Sequence, residues 1–295
     1  MPSNNIYQEH KIPTQWERAW QNYQANSLAV FGLWCLGFLL LVTLFAPLMV
    51  AYGPGEQVGE FLMPPSWDAS GHVEFFFGTD DLGRDLFTRI LLGSQLTFGY
   101  ALLVALASAI LGIVIGVLAG MTRGLKSSVL NHVLDTVLSI PSLLLAIIII
   151  AYMGTGMTSI LLAIWLALIP RFIRAIYSAV HDEMEKEYII AARLDGANSF
   201  YLLYYSILPN IQPVIISELT RAISIAMIDI AALGFLGLGA QSPSPEWGAM
   251  LGDSIELIYL APWTVTLPGL AITFSILVVN LVGEGLRQAI NAGVD

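Results

Sequence analysis

The sequence predicts an all-α integral membrane protein with six transmembrane helices. Three observations carry that expectation. Of 295 residues, 56% are hydrophobic and only 12% charged, with a mean hydropathy of +0.73, too apolar for a water-soluble domain of this length. The apolar residues gather in long runs with few charges, each near the ~20 residues that cross about 30 Å of hydrocarbon. The basic residues concentrate in alternate connecting segments, as they do when one side of a membrane is cytoplasmic.

Taken in order, residues 1–27 are polar, carry Lys11 and Arg18, and read as a cytoplasmic tail. Residues 28–50 form a first span without a charge; the run exceeds a signal-peptide core and lacks a clear small-x-small cleavage site. A loop rich in Gly, Pro and acid covers 51–95. Residues 96–121 make a second span, in which Gly112, Gly116 and Gly120 recur every fourth position and form a smooth stripe for close helix packing. A third span covers 130–153, with His132 and Asp135 at its start and Pro141 in its interior. The fourth, 158–180, carries Arg171 and Arg174 three residues apart on one face, where both can reach inner headgroups. A polar interruption at 181–212 precedes a fifth span at 213–238. A Pro/Gly loop at 239–262, a sixth span at 263–282 and a short polar tail at 283–295 complete the chain. Trp247, Tyr259 and Trp263 are expected at the outer interface.

With six spans and both ends inside, one side holds Lys11, Arg18, Arg123, Lys126, Arg171, Arg174, Lys186, Arg193 and Arg287, and the other only Arg84 and Arg89. That asymmetry places the termini and the 181–212 segment in the cytoplasm.

This segment is the long polar interruption of the hydrophobic second half, and so the part expected to meet another protein. Asp182 or Glu183 can pair with Lys186 on one helical face, which predicts a helix from there to Leu194. Asp195-Gly196 then stops it, with Gly196 at positive φ, and Asn198 or Ser199 caps a second helix that runs to a break before Pro209. Ala191 and Ala192 keep one side thin enough for a docking surface to approach the backbone.

The spacing of Ala191, Ala192, Gly196, Leu208 and Pro209 resembles the cytoplasmic "EAA" loop of ABC-transporter permeases, with Ile190 where that pattern has Glu and Ser206 where it has Ile. Gly78, Thr79, Asp80 and Gly83, Arg84, Asp85 resemble the segment before the second span of dipeptide and oligopeptide permeases. SIPSLLLAI at 139–147 and FLGLGAQSPSPEWGAML at 235–251 are similar to the same family. A helix dipole alone accounts for Asp80, Asp81 and Asp85 near a helix start, but not for the arginines.

The resemblance implies a type I ABC importer permease fold with a cytoplasmic coupling-helix loop. Its ATPase-coupling residues are then Glu187, Ala191, Ala192, Asp195, Gly196, Ala197, Leu208 and Pro209. It implies a bacterial inner-membrane complex with a second permease, two ABC ATPase subunits and a periplasmic substrate-binding protein. ATP is bound by those partners and no cofactor by this chain. The implied cargo is peptide, cationic or antimicrobial peptides in particular, with outward transport of a polyamine such as putrescine as the alternative.

Other functions lack their residues. Residues 120–127, GMTRGLKS, break the Gly-Lys pair of a phosphate loop. His10, His72, His132 and His181 are scattered without metal-site spacing, Cys35 is alone, and no GxSxG elbow occurs, so the chain is not expected to be an enzyme. A net charge of −10 opposes nucleic-acid binding. A self-contained channel would need a filter, and none is visible.

Two charge patterns remain. Glu56, Glu60, Asp68, Glu74, Asp80, Asp81, Asp85, Glu246, Asp253 and Glu256 crowd the two outer loops. They are expected either to concentrate cations or merely to reflect the depletion of basic residues outside. In the fifth span, Glu218, Arg221 and Asp229 lie in apolar sequence, a costly placement that marks a pathway or a buried pair. At about 100° per residue all three share one stripe, with Arg221 close enough to pair with Glu218 and about 12 Å from Asp229. For Asp229 two readings stay open: a donor from a neighbouring span, or contact with a cationic substrate.

Overall fold

In the computed structural model the described residues are 14–122 and 125–292, without the side chains of 15 and 125–131. Residues 1–13 of the expected 1–27 tail, with His10 and Lys11, together with Arg123, the Lys126 side chain and residues 293–295, lie outside them.

Twelve α-helices are found among the described residues: α1 (Gln15–Ala25), α2 (Ser27–Met49), α3 (Leu86–Ser94), α4 (Tyr100–Gly120), α5 (Leu125–Leu138), α6 (Ser142–Met153), α7 (Met157–Met184), α8 (Glu187–Leu194), α9 (Ser199–Leu202), α10 (Leu208–Phe235), α11 (Trp247–Ser254) and α12 (Trp263–Asn291). Wide π turns, Gln95–Gly99 and Leu203–Ile207, join α3 to α4 and α9 to α10. By length and composition α2, the joined α3–α4 rod, α7 and α12 can each cross a membrane, and the bent pair α5–α6 makes a fifth candidate. α10 is as long as α7, 28 residues, and carries Glu218, Arg221 and Asp229 within it; it is not among these candidates.

α10 stands at the centre because it is packed on α4, α7 and α12 together. Its Ala222, Ala226, Met227, Ile230 and Leu233 join Phe98, Ala101 and Val104 with Ile160, Ile164, Leu168 and Phe172 in one buried core. The glycine stripe of α4 explains its approach to α7. A Cβ on Gly116 would lie 2.8 Å from the Ile176 Cβ, and one on Gly120 2.7 Å from that of Val180, so only hydrogen fits between these backbones.

Several expected boundaries move. The second helix starts at Leu86, well inside the expected 51–95 loop, because the Asp85 carboxylate caps it by accepting from Thr88 N at 2.8 Å. The 130–153 region is not one straight span: α5 and α6 meet at 80°. Pro141 sits at the corner as the residue before α6, since proline cannot donate to a continuing helix and disfavours helical backbone before itself. The expected tail at 283–295 is helical as far as Asn291, and Gly283 and Gly285 let α12 close on Thr220 of α10 and Ala29 of α2 rather than end it.

At the other end, residues 15–25 of the expected tail are helix α1. Thr14 Oγ1 accepts from Glu17 N at 3.3 Å, and Glu17 Oε2 accepts from Thr14 N at 2.8 Å, a reciprocal cap whose Thr-x-x-Glu spacing is visible in the sequence. Trp247 departs from the expected outer-interface belt: it is 2% exposed, and its Nε1 donates to Ile90 O at 3.0 Å. Trp263 is half-buried and its Nε1 donates to Thr79 O at 3.3 Å, whereas Tyr259 is exposed.

Candidate coupling element and central helix

The coupling segment departs from the expected single helix over 182–194. α7 continues to Met184, the chain turns at Glu185 and Lys186, and α8 starts at Glu187. Glu183, buried at the end of α7, accepts from the Tyr188 hydroxyl and from Lys186 Nζ, the latter at 2.7 Å. The Tyr188 hydroxyl also accepts from Asn210 Nδ2 at 2.8 Å. Three elements, α7, α8 and α10, therefore meet at one phenol. Burial, followed by the hydrogen bond to Glu183, pushes the Tyr188 hydroxyl up to about 12, so it stays a donor at ordinary pH.

Ile189 is the inward face of α8, packed with Ile176, Val180, Met184, Leu202, Ile207 and Ile211 in a second core under the loop. Ile190, where the family pattern has Glu, points outward and is half-exposed. The helix stops in a Schellman motif: Gly196 N donates to Arg193 O and Ala197 N to Ala192 O, both at 3.0 Å, with Gly196 at φ 93°. No atom lies within 4 Å of a Cβ built on Gly196, so backbone conformation alone asks for glycine there.

Asn198 Oδ1 accepts from Tyr201 N at 2.7 Å and starts α9. The expected break before Pro209 is absent. Leu203–Ile207 is a π turn that runs straight into α10, and Pro209 occupies the first turn of that helix, where proline is tolerated. α9, the π turn and the central helix are thus continuous.

The bend presents a shallow depression lined by Ala192, Asp195, Gly196, Ala197, Asn198 and Tyr201. Leu194, Phe200, Tyr204 and Tyr205 are exposed beside it, and Tyr201 packs on Tyr205 with centroids 4.8 Å apart and ring planes tilted by 37°. Ala191 and Glu187 are exposed, while Leu208 is half-buried against the core below.

The Gly78–Asp85 motif is a knot in the outer loop. Asp80 accepts from Leu82 N and Arg84 N, each at 2.9 Å, and from Arg84 Nε at 2.6 Å. Arg89 Nε lies 3.4 Å away without an aligned bond, and Arg89 Nη1 donates to Pro54 O at 2.9 Å and Pro243 O at 3.3 Å. Thr79 Oγ1 donates to Glu60 O at 2.6 Å and accepts from Met63 N at 2.8 Å, while Gly78 and Gly83 supply φ of 77° and 71° for the turns. Of the arginines that a helix dipole left unexplained, Arg89 ties the two outer loops together through Pro54 and Pro243, while Arg84 pairs within its own loop.

Glu246 has a similar role. It is 0% exposed, caps α11 by accepting from Gly248 N at 2.9 Å and Ala249 N at 2.7 Å, and accepts from Thr97 Oγ1 at 2.8 Å. Burial pushes its carboxyl up, and those donors pull it back down. With Asp80, Asp85 and Glu246 all buried, three of the ten outer acids cannot contribute to a solvent-facing negative vestibule. The Thr97–Glu246 pairing was not visible in the sequence, because its two halves lie 149 residues apart.

On α10, Glu218 is buried with Arg221 Nη1 3.8 Å from its Oε2. Asp229 is 7% exposed with Oδ2 unpaired, and its carboxylate is within reach of the Ser142 hydroxyl at the start of α6. Arg171 of α7 faces both acids. Arg221 behaves differently: its side chain is 69% exposed. Among the described residues no group of His, Cys, Asp and Glu is placed to hold a metal ion.

The family described as "Binding-protein-dependent transport system inner membrane component" matches residues 112–295, and the "N-terminal TM domain of oligopeptide transport permease C" matches 14–65. The chain is 55% identical over 296 positions to the peptide transport system permease protein SapC of Salmonella typhimurium, with both chains covered completely. It is 40% identical over 279 positions to the dipeptide transport system permease protein DppC of Escherichia coli, covering 94% of this chain and 93% of that one. Among solved structures, the MetNI methionine ABC transporter in an inward-facing conformation aligns with a TM-score of 0.59 at 17% identity, over 68% of this chain and 96% of the other. That likeness extends the family match to a shared type I importer permease fold. The chain belongs to the inner-membrane components of binding-protein-dependent transport systems, the multi-pass permease subunits of ABC transporters.

Proposed function

We propose that this chain forms half of a peptide-translocation pathway, driven by separate ATPase subunits that dock on the element from Glu187 to Pro209. The observation that carries the reading is the α8–Gly196–α9 bend. It displays Leu194, Phe200, Tyr201, Tyr204 and Tyr205 on its surface and runs without a break into the central helix. Exposed aromatics around a small-residue depression suit a protein partner, and continuity with α10 gives movement of that partner a mechanical route to the pathway. The basic-residue asymmetry supports cytoplasmic termini and a cytoplasmic bend.

The likeness to SapC suggests the partners of this reading: a second, SapB-like permease, SapD- and SapF-like ATPases and a SapA-like periplasmic binding protein. Its cargo is peptide, and cationic or antimicrobial peptide in particular. The test is reconstitution of the four membrane-associated subunits with the binding protein in vesicles. ATP-driven movement of a labelled cationic peptide is expected. ATP-driven movement of putrescine alone would replace the cargo, and conduction by this chain without an ATPase would replace the mechanism by a channel.

A further inference from the structure

A polar groove of ≈ 380 Å³ runs between α10 and α12. On α10 it is lined by Ser217, Arg221 and Ser224, and on α12 by Asn280, Glu284 and Arg287. Arg221 is at the midpoint of the 28-residue α10, about 20 Å along the axis from Leu208. A guanidinium beside this polar groove with 69% of its side chain exposed is matched by water or an anion rather than by hydrocarbon.

The other charges of the groove are already matched. Glu284 accepts from Arg287 Nε at 2.8 Å, Arg287 Nη2 at 2.6 Å and Gln288 Nε2 at 2.7 Å, which occupies both its oxygens. Asn280 Nδ2 is committed to Ser224 Oγ at 2.9 Å and Ile276 O at 2.8 Å. Arg221 has, among the described residues, a single ion pair, one nitrogen 3.8 Å from the buried Glu218. That contact leaves the rest of its planar donor fork, on a side chain that lines the groove, without a protein partner among the described residues. The fork matches the two oxygens of a carboxylate.

We propose that this groove binds a carboxylate against Arg221, and that the carboxylate is the free C-terminus of a peptide in transit; the proposal rests on the peptide-permease reading above. The terminal carboxylate is the one anionic group that every linear peptide with an unmodified C-terminus carries, cationic peptides included. Arg221 therefore gives the pathway a contact indifferent to side-chain sequence. Asp229, buried behind α6, does not present its charge in the same way.

The experiment uses the complete reconstituted transporter and two forms of one labelled peptide, the free acid and the C-terminal amide. The wild type is expected to move the acid roughly ten-fold better at limiting concentration, the size of one charge-assisted bidentate contact. Arg221→Gln should erase that preference by slowing the acid to the rate of the amide, and Arg221→Lys should retain part of it, keeping the charge without the fork. Equal transport of acid and amide by the wild type overturns the proposal, as does a preference that survives in Arg221→Gln. If the groove instead takes an acidic side chain of the second permease, Arg221→Gln and Arg221→Lys will lower recovery of the permease pair and the wild type will not discriminate acid from amide. A wild-type complex that hydrolyses ATP but moves neither peptide overturns the peptide reading itself.

Discussion

The side-chain amide of Asn210 donates to the Tyr188 hydroxyl at 2.8 Å, and the same hydroxyl donates to the buried carboxylate of Glu183. A tyrosine on the coupling helix thereby ties the end of one long helix to the start of the next. Asn210 Nδ2 also donates to Ser206 O at 2.8 Å inside the π turn, so the clasp includes the joint between α9 and α10. Any force applied at the bend must pass through this joint or around it.

Tyr188→Phe keeps the ring and removes both hydrogen bonds. The expected result is an assembled complex in which peptide moved per ATP hydrolysed falls several-fold, whereas Tyr259→Phe, on an exposed ring far along the chain, changes nothing. Asn210→Ala should act through the same hydroxyl, so the double variant should be little worse than either single one. Additive losses would show that the clasp is not one unit. The stabilisation follows the raised hydroxyl pKa. It is constant below the unfolded value near pH 10 and is lost as pH rises through about 12.

Gly196→Val tests the bend. A positive φ of 93° costs a β-branched residue on the order of 1–2 kcal/mol or more. The surroundings are open, so strain rather than collision is the cause. The spans should insert normally, while crosslinking between a cysteine at Ala192 and the ATPase surface is lost together with transport. Undiminished crosslinking and transport in Gly196→Val would remove the geometric role of this residue.

Glu246→Ala leaves the N–H groups of Gly248 and Ala249 and the Thr97 hydroxyl without their buried acceptor. Each orphaned group costs about 1–3 kcal/mol. The purified complex should melt several degrees lower, and flux should fall with stability rather than with ionic strength. Neutralising exposed Glu256 instead should leave the melting temperature in place. A Glu246→Ala protein that melts like the wild type but loses salt-dependent flux would restore this carboxylate to a role in steering cations.

What the sequence made legible follows from how each feature is encoded. Apolar runs, the stripe Gly112–Gly116–Gly120 and the Asp195-Gly196 stop are local patterns, and each has a local structural consequence. The burial of Trp247 and Glu246 depends on Ile90 and Thr97, some 150 positions away, and leaves no periodic trace. Pro209 misleads for a related reason: as a letter it reads as a helix breaker, but after a π turn it falls in a helix's first turn. The α5–α6 corner falls at Pro141, which its run of apolar neighbours had placed in the interior of a single span. On α10 the three charges were visible, but spacing on one helix does not distinguish the exposed Arg221 from the buried Asp229.

That distinction makes Asp229→Asn the informative substitution on the central helix. The Asp229 carboxylate is buried beside the Ser142 hydroxyl, where α6 begins after the 80° corner, and Arg171 of α7 faces it. A carboxylate so placed holds the corner of a bent span to the central helix, and its substitution should weaken three packed helices together. Asp229→Asn and Ser142→Ala are both expected to lower the thermal stability of the complex, by an amount within the 1–3 kcal/mol of a compromised buried polar contact. The ratio of cationic to neutral peptide flux should stay at its wild-type value in both variants, because the charge does not face the cargo. ATP hydrolysis and flux should decline in step as the complex loses stability. A selective loss of cationic-peptide flux in Asp229→Asn, with hydrolysis and melting temperature retained, would instead place this carboxylate on the pathway.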